Sequence, residues 1–281
     1  MFKYLISFTS ANLFFLFTSN VFSQCNGSID SCNKRYDEVA YLTTHNAFNS
    51  RQDSFLFPNH NTNIEAQLNS GVRALMIDVY DDNGISVVYH NNSFYGQKTL
   101  STYLNTIKYF LDTNPNEIIT IILECYTNAN AIENDMSKAG LTNYLHSQNS
   151  NFPWPTLQTM INANKRLVVL SDKSDATSNQ HWYHYVWDFA VENKYGEINC
   201  DYNRGNPSNK LFIYNHFVTY NMEGVAKVRR VNSNPYFLNY VTECQLLKNK
   251  FPNFITVDFY EIGNSLEVVN QLNFSNSVRI E

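Results

Sequence analysis

Six apolar runs of strand length each stop at a polar residue able to do chemistry. Val39–Leu42 runs into Thr43, Thr44, His45 and Asn46, Val72–Ile77 reaches Asp78, and Ile85–Tyr89 ends at His90. Ile118–Leu123 ends at Glu124, Leu211–Tyr214 at Asn215 and His216, and Phe254–Val257 at Asp258. Runs without polar alternation mark strands covered on both faces, as in parallel sheet flanked by helices. The carboxyl ends of such strands carry the active site. Histidines, three carboxylates and asparagines therefore converge on one rim, the pattern of an enzyme.

Between the runs lie helical stretches. Asn63–Leu68 suits a short helix ended by Ser70 and Gly71. Leu100, Tyr103, Leu104, Ile107, Phe110 and Leu111 fall at helical spacing, and Asn114-Pro115-Asn116 stops them. Further helices are expected over Ile132–Leu145, from Trp154-Pro155-Thr156 (Pro155 or Thr156 in the first turn) with Leu157, Met160 and Ile161 inward, over Pro235–Leu247 and over Leu266–Leu272. Leu167–Leu170 reads as a strand, and Trp182–Val191 as a helix giving way to a strand. The alternation predicts one α/β domain, a distorted (β/α)8 barrel, irregular where the turn Asp81–Gly84 joins two consecutive strands.

A net charge of −5 with 20 Lys and Arg offers no basic stripe, so nucleic-acid binding is not expected. Lys3 precedes an apolar stretch from Tyr4 to Phe22 with small residues near Ser23, which reads as a cleaved export signal over residues 1–23. The protein is then secreted or periplasmic, where cysteines oxidise. Cys25 and Cys32 bracket a polar turn, and Cys200 and Cys244 flank the Leu211–Tyr214 strand. Both pairs suit disulfides, leaving Cys125 free, although five cysteines permit other pairings.

Two strand-end imidazoles, His45 and His90, suit general base and general acid roles, since each titrates near neutral pH. Asp258, on the last strand, comes beside the first once a barrel closes and is placed to orient His45. Asn46, Asp78 and Glu124 are hard oxygen ligands at strand ends, and calcium takes such donors. The bland alternative is a hydrogen-bonded polar layer. His181 and His184 read as helix-face residues, His60 and His146 as loop residues, and His216 as a packing residue.

Leu42–Ala47, Gly71–Asp78, Asn114–Glu124, Trp154–Leu157, Val191–Gly196 and Phe254–Tyr260 form a set in order along the chain. Together these stretches resemble the X-domain family of phosphatidylinositol-specific phospholipases C, in its secreted single-domain branch. The resemblance implies His45 as general base on the inositol 2-hydroxyl, His90 as general acid, and Asp258 as partner of the base. It implies Asn46, Asp78 and Glu124 as calcium ligands, with Tyr195 and Lys173 contacting substrate. Two departures stand out. Met76 replaces a further acidic ligand of the calcium-dependent members, with Asp81 or Asp82 available to supply one. Tyr80 replaces the arginine of the metal-independent members, for which Lys173 or Arg73 is the available protein cation.

The expected activity is cleavage of phosphatidylinositol, or a glycosylated form, to diacylglycerol and a cyclic inositol phosphate at a membrane surface. Alternatives are a glycerophosphodiesterase-like enzyme and a catalytically silent lipid- or inositol-glycan-binding protein. Ser54–Pro58 and Ser93–Tyr95 are the rim segments available for membrane contact. No protein partner is implied.

Overall fold

The computed structural model describes residues 24–196, 198–218 and 224–278, so the expected export signal lies outside them. The strands are β1 (Tyr41–Thr44), β2 (Ala74–Asp82), β3 (Ile85–Val88), β4 (Lys98–Thr99), β5 (Ile119–Cys125) and β6 (Leu167–Ser171). They continue as β7 (Tyr183–Tyr185), β8 (Ala190–Asn193), β9 (Tyr202–Gly205), β10 (Leu211–Asn215) and β11 (Phe254–Val257). The helices are α1 (Ile64–Asn69), α2 (Leu100–Thr113), α3 (Ala129–Lys138) and α4 (Leu157–Asn162). After them come α5 (Gly224–Val231), α6 (Tyr236–Lys248) and α7 (Ser265–Val278).

Parallel pairing curls the sheet in the order β7-β6-β5-β2-β1-β11-β10-β8, with β9 antiparallel on β8 and the β3–β4 hairpin antiparallel on β2. This is a distorted, open (β/α)8-type barrel. The first and last strands pair in register, Thr44 beside Val257, which brings His45 next to Asp258. Among the described residues β7 and β8 do not pair. Only residues 186–189 join them, too few for the crossover that side-by-side parallel strands require.

Alternation sorts the side chains of the sheet. Leu75, Ile77, Val79, Ile121 and Leu123 pack outward with Leu104, Ile107 and Leu111 of α2, while Ala74, Ile122, Val168, Ile213 and Phe254 fill the interior. Asp78 and Glu124 share the interior parity and are cross-strand neighbours. They continue the inner column upward, where the apolar filling gives way to polar residues.

Two elements differ from the sequence expectation. The helix predicted to reach Leu145 ends at Lys138, because Gly140 takes the left-handed conformation (φ 71°) and Thr142–Tyr144 form a separate 3-10 turn. Trp182–Val191 holds no α-helix but β7, a 3-10 turn and the start of β8, so His184 is a strand residue rather than a helix-face one. It is buried, with Nδ1 at 2.8 Å from the Val169 carbonyl. Cys25–Cys32 and Cys200–Cys244 are disulfides, and Cys125 is free and buried.

Candidate active site

At three strand ends the chain turns sharply just past a candidate site residue. Asn46 after His45, Asn91 after His90 and Phe259 after Asp258 all adopt positive φ, at 48°, 58° and 46°. Asparagine tolerates this conformation, but for phenylalanine it costs about 1–2 kcal/mol. The Phe259 amide donates to the Asn59 carbonyl at 2.8 Å, which holds that turn in place.

His45 Nδ1 lies 3.0 Å from Asp258 Oδ1, and the imidazole stacks on Phe217 with ring centres 3.9 Å apart. An ionised carboxylate only accepts, so Nδ1 carries the proton and Nε2 remains to receive another. Burial, the largest influence on this imidazole, disfavours its charge. Asp258 opposite it, with Asp78 and Glu124 beyond, outweighs burial and raises its pKa above the ordinary histidine value. His60 supports the same strand end from below, its Nε2 at 2.8 Å from the His45 carbonyl.

The second histidine has its own carboxylate. His90 Nδ1 is 3.3 Å from Asp78 Oδ2 and 3.1 Å from Asn46 Nδ2. Asp78 is 6% exposed, and burial followed by the nearby Glu124 charge raises its pKa, offset in part by His90 and His45. All six strand-end residues, His45, Asn46, Asp78, His90, Glu124 and Asp258, line one cavity of about 740 Å³. Tyr195 lines it too and stacks on Phe217 at 6.3 Å.

Two expected substrate contacts are not brought to this cavity. Lys173 lines a separate cleft, where its Nζ is bound by the Thr127 carbonyl and Asp175. Arg73 sits just before β2, on the outward parity and about 16 Å down the strand from Asp78. There it pairs with Glu117 at 2.6 Å and covers the Phe110 ring. Asp81 and Asp82 also lie away from the cavity, their Oδ1 atoms accepting from Gly84 and Asn83 in the β2–β3 turn. Met76 does line it, two residues before Asp78. Tyr80 instead stacks between Tyr89 (3.8 Å) and Tyr126 (4.4 Å), and the Tyr126 hydroxyl donates to Glu124.

Two residues escaped the sequence reading. Arg204 on β9 is the one Lys or Arg lining the cavity among the described residues. It pairs with Glu192 at 2.6 Å and covers the Trp187 ring at 4.6 Å. Asn59, in the loop before α1, donates through Nδ2 to Asp258 Oδ1 at 3.0 Å and accepts at Oδ1 from Asn49 and Asn46. The polar stretch Asn59-His60-Asn61 after Pro58 was the available signal for Asn59. Arg204 had none beyond its charge.

The two rim segments meet beside the mouth. Leu56 donates its amide to the Tyr95 carbonyl at 2.7 Å, and Phe57 and Tyr95 pack edge to face at 5.4 Å. Leu56, Phe57 and Phe94 stay exposed, Phe94 at 83%.

A family model described as PI-PLC X 1 matches residues 31–273. A PI-PLC X domain-containing protein of Arabidopsis thaliana is 29% identical over 85% of this chain, which spans 62% of the plant protein. PI-PLC X domain-containing protein 1 of Arthroderma benhamiae is 25% identical, covering 89% of each chain. The fold is similar to that of phosphatidylinositol-specific phospholipase C from Listeria monocytogenes, with a TM-score of 0.58 at 16% identity, over 87% of this chain and 95% of that one. The match over residues 31–273, on an open barrel with two histidine–carboxylate pairs at its mouth, makes this chain a member of the PI-PLC X family.

Proposed function

We propose that this protein is an exported phosphodiesterase that cleaves phosphatidylinositol, or a glycosylated form of it, within the lipid surface. The observation that carries the reading is the paired assembly of His45 with Asp258 and His90 with Asp78 around one cavity. His45 Nε2 takes the proton of the inositol 2-hydroxyl as that oxygen attacks phosphorus. The bond from phosphorus to the glycerol oxygen breaks, and His90 gives that oxygen a proton. Diacylglycerol and a cyclic inositol phosphate result. Asp258 stabilises the imidazolium that forms on His45. Tyr195 offers a ring face for the inositol, and the Arg204–Glu192 pair supplies hydrogen-bonding groups on the same wall.

Calcium is part of this proposal. The donor set fits a hard cation in part, since Asp78 and Glu124 are like charges on neighbouring strands and Asn46 adds an amide oxygen nearby. Among the described residues no cluster of three His, Cys, Asp or Glu is assembled for a metal, and Met76 contributes no charge. When bound, calcium would supply positive charge to the phosphoryl oxygens. With two carboxylates the affinity expected is about 10⁻⁴–10⁻³ M.

Export is supported by the apolar stretch before Ser23 and by two disulfides. The exposed Leu56, Phe57 and Phe94 support contact with the lipid surface that presents the substrate.

Phosphorus NMR of products from phosphatidylinositol, glycosylated phosphatidylinositol and glycerophosphodiesters tests the reading. A cyclic phosphate from the inositol lipids is expected, falling with chelator and returning with calcium near millimolar levels. A linear phosphate from glycerophosphodiesters alone would favour the glycerophosphodiesterase alternative. Full activity in excess chelator would remove calcium.

A further inference from the structure

Asn59 belongs to no apolar run, yet its amide touches both halves of the site. Nδ2 donates to Asp258 Oδ1 at 3.0 Å and lies 3.5 Å from His45 Nδ1. Oδ1 accepts from Asn49 Nδ2 at 2.6 Å and from Asn46 Nδ2 at 3.3 Å, and Asn46 in turn stands 3.1 Å from His90 Nδ1. The backbone is held as well. The Asn59 amide donates to the Asn49 carbonyl at 2.9 Å, and the Asn59 carbonyl accepts from Phe259, the residue after Asp258. Two donors on Oδ1 leave the side chain one orientation, with its own N–H turned toward the carboxylate. Asp258 Oδ1 therefore meets His45 and Asn59 together. Rotation of the carboxylate would strand a partly buried donor, which is unfavourable.

We infer that Asn59 is a positioning residue that fixes the Asp258 carboxylate and, through it, the aim of the His45 imidazole. The strands bring the pair together, and the loop amide sets its angle. This rests on the reading of His45 as general base. Misplacement of a reacting group by about 1 Å can cost on the order of 10²-fold, so a modest tilt of the imidazole is visible in turnover.

The test is steady-state cleavage of phosphatidylinositol in mixed micelles by Asn59→Leu and Asn59→Asp, each alone and in an Asp258→Ala background, with His45→Ala beside them. Asn59→Leu is expected to lower kcat about tenfold while KM stays within about twofold. In Asp258→Ala the same change should cost less than about twofold, because the group it acts through is gone. Asn59→Asp keeps an acceptor for Asn49 but faces a carboxylate with a carboxylate, and should lose at least as much as Asn59→Leu. It decides the question if the leucine variant does not fold. Equal losses in both backgrounds, or no loss in either variant, would overturn the inference. Wild-type activity in His45→Ala would overturn the base assignment instead.

Discussion

His45 and His90 sit in unlike surroundings, and their assigned roles separate in kinetics. His90→Ala should abolish cleavage of natural lipid yet lose far less on a substrate whose leaving group needs no proton, whereas His45→Ala should lose about 10²–10⁴-fold on both. Equal losses for His90→Ala on the two substrates would remove it as the acid. As the proposed general base His45 must be neutral, and its pKa is raised in the fold mainly by Asp258 against the effect of burial. The acidic limb of kcat/KM should thus lie above about 6.5, the value of free histidine. Asp258→Asn should move it down, and an unmoved limb would show that the pair is uncoupled. For stability the sign is opposite. A raised folded pKa contributes stability fully below about 6.5, and that contribution is lost as pH rises through the folded value. The strand-end pattern placed these residues on one cavity because each ends a buried run. Strand ends offered no sign of Arg204, which rides on an antiparallel strand appended to the barrel. Lys173 entered by resemblance alone, and a long flexible side chain is free to turn away from a strand end; here the Thr127 carbonyl and Asp175 take it.

At the scale of elements, the two rim segments behave as one unit. Lys98 at the base of the second pairs with Asp53 at the base of the first at 2.7 Å, and the Tyr103 hydroxyl also reaches Asp53. Gly96 (φ 129°) presses against Phe55, where an added Cβ would meet the ring at 2.7 Å. The ridge is therefore held in place before any surface is met. Phe57→Ser with Phe94→Ser should weaken binding to phosphatidylinositol vesicles about ten- to a hundredfold per ring. Cleavage of a monomeric soluble substrate should change little. Vesicle sedimentation showing unaltered binding would assign the ridge no lipid contact. Helices with clear apolar spacing, α2 above all, were legible in the sequence, and so were the parallel strands. The early end of α3 was less so, because a left-handed Gly140 competes with an otherwise helical pattern. The open seam was illegible too, since it depends on a connection being too short rather than on any residue's preference.

For the whole molecule, the disulfides differ in reach. Cys25–Cys32 closes a separation of 7 residues, and Cys200–Cys244 one of 44, tying the segment before β9 to α6. By loop-closure entropy the longer link should contribute about 4 kcal/mol and the shorter about 2.5 kcal/mol. Cys200→Ser with Cys244→Ser should accordingly lower the unfolding midpoint more than the corresponding change at Cys25 and Cys32. Denaturant melts that rank them the other way would show that strain or residual structure governs instead. The pairing of β1 with β11 has a consequence in time. His45 emerges early from the ribosome, but its carboxylate partner follows 213 residues later. At about 5–20 residues per second, synthesis of that interval takes some tens of seconds. Throughout it the growing polypeptide carries His45 without the carboxylate that orients it, so the activity proposed above stays off until the closing strand has docked.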